Sequence, residues 1–157
     1  MSKFDEMCYA YEEAKKKWAE YHARSQKQIS TLSTGFVKYC EIPQGSFSFV
    51  PAEGGKVDQH YTPLDAIKYE EDGYWHFGWR MKLPHSIMTA ILLKEIEPDV
   101  VSVRCGWEKQ DRLIDLRDEK QCQEFYDVVV QRIKDFYKRT QDIGKADRPG
   151  KLGFQLS

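Results

Sequence analysis

No two cysteines form a C-x-x-C pair; Cys8, Cys40, Cys105 and Cys122 stand far apart, each among apolar neighbours. Such spacing offers no finger-type zinc site and no dithiol motif, and the thiols are expected to be buried and free. Charge of one sign is not in excess either. Lys plus Arg number 24 and Asp plus Glu 25, for a net charge of −1. That balance gives no support to nucleic acid or an anionic membrane as partner. No apolar run approaches the length needed to cross a bilayer. The first residues carry Lys3, Asp5 and Glu6 instead of a signal-like apolar core, so a cytoplasmic protein is expected.

Catalytic and cofactor motifs are missing too. There is no G-x-S-x-G elbow and no cysteine in a recognisable catalytic setting. Gly54-Gly55-Lys56 lacks the spaced glycine and the hydroxyl residue of a phosphate loop. His22, His60, His76 and His85 have no metal-ligand spacing among themselves or with the cysteines. Glu70-Glu71-Asp72 clusters carboxylates at a turn, where a solvated tip is the ordinary case. No catalytic residue, metal or cofactor is therefore assigned.

What the chain has is aromatic residues, 13% of the total. They concentrate in Tyr74-Trp75-His76-Phe77-Gly78-Trp79-Arg80-Met81-Lys82-Leu83. Successive strand side chains point to opposite faces, so Trp75, Phe77, Trp79, Met81 and Leu83 share one side of a strand. Tyr74, His76, Gly78, Arg80 and Lys82 share the other. An Asp72-Gly73 turn precedes it, a strong hairpin signal.

Residues 3 to about 30 read as an amphipathic helix, because Phe4, Met7, Tyr11, Ala14, Trp18, Tyr21 and Ser25 recur at three- and four-residue steps. It would be about 40 Å long, enough to span the domain or to overhang it. The Ser30–Gly35 run is expected to end it. Strands are expected over 36–42, 46–50, 66–70, 74–83, 87–96, 100–108 and 112–117, with Thr62-Pro63 starting a short helical turn. A C-terminal helix follows, capped by Asp118 and Gln121 and ending near Gly144. The fold class is α+β: an antiparallel sheet of about seven strands flanked by a long N-terminal helix and a C-terminal helix. Seven strands and a helix is also the element order of pleckstrin-homology-like barrels, so a partly closed barrel stands beside an open sheet. Residues 1–144 are expected to form one domain. The tail 145–157 alternates Leu152, Phe154 and Leu156 and is expected to dock as an edge strand.

Two surfaces are candidates for function. On the polar side of the central strands, Tyr74, His76, Arg80, Ser102 and Arg104 lie near Gly78 and Gly106, where two arginines can fork onto a phosphate or carboxylate. On the long helix, Phe4, Met7 and Tyr11 form a seam suited to a protein partner or a second copy. Together with the missing motifs, this points to a non-enzymatic binding or adaptor protein working through protein contacts. A small-molecule or anion-binding protein is the alternative, and an enzyme of unrecognised class the third reading.

Overall fold

The computed structural model describes residues 2–56 and 59–139, together with the backbone of 154–156. It is an α+β fold with an open antiparallel sheet. The elements run α1 (Lys3–Tyr39), β1 (Phe47–Val50), α2 (Pro63–Ala66), β2 (Lys68–Tyr69), β3 (Trp75–Lys82), β4 (Ser86–Glu97), β5 (Val100–Cys105), β6 (Arg112–Asp115), α3 (Glu119–Arg139) and β7 (Phe154–Leu156). The sheet runs β1-β3-β4-β5-β6, with β2 beside β3 and β7 beside β4. Neither outer strand of that path pairs with the other, so the sheet does not close.

β3 follows its alternation. Trp75, Phe77, Trp79 and Met81 are buried on one face, while Leu83, past the strand's end, is 40% exposed. Register carries the pattern across: Trp79 lies opposite Phe49 and Thr89, and Phe77 opposite Ile91. Ile91 in turn lies opposite Cys105. Gly73 turns the chain before β3 with φ of 84°, a left-handed value that costs glycine nothing.

Both helices pack on this one face. Ile29, Leu32 and Phe36 of α1 join Phe125, Tyr126, Val129 and Ile133 of α3 over the apolar strand residues. α3 starts where expected, with Asp118 Oδ1 accepting from the Lys120 and Gln121 amides. Gln121 Oε1 reaches back to the Asp115 amide, tying the helix start to β6. The expected helix end near Gly144 lies outside the described residues, as do 145–153 of the tail. The backbone of β7 pairs antiparallel with Ile87 to Thr89. The four cysteines are free; Cys105 and Cys122 are buried and Cys40 half-buried, but Cys8 is exposed.

Two expectations fail together at the end of α1. The helix does not stop in the Ser30–Gly35 run, and 36–42 is not a strand. Helix continues through Tyr39, for 37 residues and about 55 Å. Packing overrides the weak propensity of that run. Ser33 accepts the indole N–H of Trp79 at 2.9 Å, and Phe36 stacks on the same indole at 4.5 Å. Gly35 is there for space: a Cβ on it would lie 2.3 Å from the Tyr126 hydroxyl. That hydroxyl donates to the Leu32 carbonyl at 2.8 Å. Further along, β5 ends at Cys105 instead of continuing to residue 108, so Gly106 is in a turn, and among the described residues Gly78 alone is a strand-interior glycine.

Alanine is a better helix former than glycine by about 1 kcal/mol, yet Gly35→Ala should destabilise the protein by about 1–3 kcal/mol, because buried Tyr126 must move. In a Tyr126→Phe background the same change should become neutral or stabilising. A double-mutant cycle by chemical denaturation measures this coupling; equal effects in both backgrounds would contradict the contact.

Candidate functional site

On the outer face, Asp111 organises most of the polar residues. It enters from the turn between β5 and β6. One carboxylate oxygen accepts from Ser102 Oγ at 2.8 Å and from the Tyr74 hydroxyl. The other lies 3.5 Å from Arg104 Nε. Two cations lie near the Tyr74 ring, Arg104 Cζ at 5.6 Å and Lys94 Nζ at 5.7 Å from its centroid. Beside it, His76 Nε2 contacts Asp72 Oδ2 at 2.8 Å, and Asp72 also accepts from the Tyr74 amide at 3.0 Å. Tyr74, His76, Ser102 and Arg104 are thus brought together.

The electrostatics follow from these contacts. Hydrogen bonding to the Asp111 carboxylate, then burial, push the Tyr74 phenol above its ordinary range. Burial works against ionisation of Asp72, but the Tyr74 amide, His76 and Arg104 outweigh it and hold the carboxyl below its usual value. Both arrangements keep charges matched within the protein. Among the described residues there is no group of three His, Cys, Asp or Glu that could hold a metal ion.

Arg80 is not part of this cluster. It lies opposite Met88 on β4, whereas Arg104 lies opposite Leu92 from the other side. Four positions along the sheet and two strands across it separate their backbones by about 16 Å. The Arg80 guanidinium serves its own chain: it donates to Ser48 Oγ at 3.2 Å, to the Lys56 carbonyl at 3.2 Å and to the Gln59 carbonyl at 3.1 Å. It thereby holds the segment after β1 onto the sheet. Gly78, beside it, is covered by the side chains of Val50 and Met88 and not by a helix. At this end of the face a pocket of about 490 Å³ is lined by Ser46, Ser48, His60, Arg80, Lys82 and Ser86, with Gly45 and Phe47.

The second candidate surface is α1 before it meets the sheet. Its root is clamped: Arg24 forks onto Glu95 at 2.9 and 3.3 Å, and Gln28 Nε2 donates to Glu95 at 3.0 Å and to the Pro98 carbonyl at 2.9 Å. Beyond the root, residues 3–20 are exposed almost throughout, so this part projects as an arm. Phe4 is 69% exposed, Met7 64% and Tyr11 63%. At the arm's base Trp18 stacks on Trp75 at 6.2 Å and meets Tyr69 edge-on at 5.2 Å. Tyr21 and His22 complete that aromatic collar. The free end is capped by a Ser2–Asp5 capping box, which gives the arm a defined start.

Sequence reading missed Asp111, Asp72 and Lys94 as members of the polar cluster. It also missed the joining of Trp18 to Tyr69 and Trp75. Asp111 stands in a polar turn, and only strand register carries it to Tyr74. Comparison with known protein families, with characterised proteins and with solved structures found no match.

A folded Tyr74 that holds its proton tightly contributes stability fully below about pH 10, and loses it as pH rises through the folded value. Asp111→Asn should shrink this alkaline loss. Unfolding free energies of the two proteins between about pH 8 and pH 11 measure the difference; parallel curves would refute the Asp111 contact as its cause.

Proposed function

We propose that this chain is a non-enzymatic binding protein of the cytoplasm that works through protein contacts made by the α1 arm. One observation carries the reading. The apolar stripe that α1 buries at Ile29, Leu32 and Phe36 continues without a change of phase through half-covered Trp18 into Tyr11, Met7 and Phe4, which are well exposed among the described residues. Single exposed apolar residues are ordinary on a protein surface. Several aligned on one face of a capped, clamped helix mark a contact surface. The polar cluster around Asp111 fits the same reading, because its charges are matched internally.

Deleting residues 2–14 tests it, since these residues support none of the core. The truncated chain should keep its unfolding midpoint and lose the cross-linked partners that the full chain forms in cells. An unchanged set of cross-linked partners would refute the arm's role.

A second reading rests on the pocket beside Arg80. Its described lining offers Arg80, Lys82, His60 and three serine hydroxyls, and no carboxylate. That donor set suits a phosphate-bearing small molecule. Inorganic phosphate or phosphorylated metabolites should then raise the melting temperature, and Lys82→Gln should remove the rise. No rise in the wild type would dispose of this reading.

A further inference from the structure

We infer that β7 is an autoinhibitory strand: it fills, from within the chain, an edge of β4 that otherwise takes up an extended segment of a partner protein with apolar residues at alternate positions. The edge exists because β5 leaves β4 early. Glu108 folds back on the end of β5, its carboxylate accepting from the Cys105 amide and its own amide donating to the Cys105 carbonyl, both at 2.9 Å. Past that end, the Gly106 amide still donates to the Ala90 carbonyl at 2.9 Å. β4 begins at Ser86, so its residues 86–89 lie beyond the reach of β5.

Strand geometry decides which groups that edge presents. In an antiparallel ladder the amide and carbonyl of one residue point to the same side, and successive residues alternate. The Ala90 carbonyl points toward the β5 side, so the peptide groups of Met88 and Ser86 do too, while Ile87 and Thr89 turn theirs to β3. Met88 is buried. Peptide groups left unpaired in such a place are costly, so this edge demands a strand. Register sets Gln155 of β7 opposite Met88, and these two therefore make the hydrogen-bonded pair. Phe154 lies opposite Thr89 and Leu156 opposite Ile87, and at both positions β4 is fully buried. The edge thus suits an apolar residue on each side of a middle residue of any kind.

Little in the ladder holds the resident strand there. Among the described residues β7 is three residues long and pairs with β4 alone. One hydrogen-bonded pair, Met88 with Gln155, lies within it. Residues 140–153 join it to α3. A short covalent link presents its end at an effective concentration of about a millimolar, so the tether supplies much of what keeps β7 in place. A segment from another protein meets the same backbone groups and the same two positions, as strand addition to a sheet edge requires. It gains the edge once β7 is released or outcompeted.

Gln155→Pro in the full chain removes the amide that bonds Met88 and should free the edge. The probe is a synthetic peptide of residues 150–157, titrated into the isotope-labelled full chain while NMR follows the Ser86, Met88 and Ala90 amides. It should shift these signals in the Gln155→Pro chain with a Kd about fivefold or more below that for the wild-type chain, where the tethered strand must first be displaced. A peptide that itself carries Gln155→Pro should not bind, whereas one carrying Gln155→Ala should bind like the unaltered peptide, because the pairing uses backbone groups only. Equal affinity for the wild-type and Gln155→Pro chains overturns the inference, as does binding of the Gln155→Pro peptide. So does the absence of any shift in the Gln155→Pro chain at about 10 mM peptide, well above the effective concentration of the tether. A Gln155→Pro chain that no longer folds overturns it as well, since β7 would then be a fixed part of the core.

Discussion

The structure hangs on the contact between Trp79 and α1. The indole of Trp79 is fully buried, stacks on Phe36 and donates its N–H to Ser33. An aromatic of this size supplies much apolar area, but its N–H has to find an acceptor once water is gone. Ser33 meets that need only if α1 stays helical through the Ser30–Gly35 run. One pairing thus sets how far the helix extends, which face of the sheet it covers, and where along the sheet it sits. α3 is fixed to the same place by Tyr126, which reaches the Leu32 carbonyl over Gly35.

Once that seat is fixed, the arm follows. A helix of about 55 Å cannot be covered by a sheet whose strands are 12 residues or fewer. Its excess must project from one end. The clamp of Arg24 and Gln28 onto Glu95 and Pro98 chooses the end and stiffens the exit. A helix leaving a rigid body under such a clamp holds its direction, which gives an exposed stripe on it a fixed geometry for a partner to meet. The opposite sheet face is engaged differently. Arg80 binds backbone carbonyls of its own loop, and Asp111 gathers Tyr74, Ser102 and Arg104. Both arginines meet needs created by folding.

Much of this is legible in the residues. Alternation from Trp75 to Met81 identified the central strand and its core face, because strand geometry imposes period two whatever the partners are. The three- and four-residue steps from Phe4 onward identified a long helix and the possibility of overhang. Asp118 and Thr62 were readable as caps, because capping is a local hydrogen bond. Gly35 was misleading for a physical reason: glycine ends many helices, and here it makes room for a tyrosine 91 residues away in the chain. Phe36 to Ile42 carries strand-forming residues, yet Phe36 to Tyr39 are helical, held by contacts to Trp79, Tyr126 and Asp127 that lie far away in the chain. Arg80 and Arg104 share a face by periodicity, but the distance between them depends on register, which alternation does not give.

The sequence by itself determined the α+β class, the core face of the sheet and the amphipathic stripe of α1, because each is set by side-chain period and local capping. Tertiary structure alone decided where α1 ends, which of its turns are covered, and which polar residues meet around Asp111. Those depend on strand register and on what packs against each turn. Such contacts join residues far apart in the chain, and no local pattern encodes them.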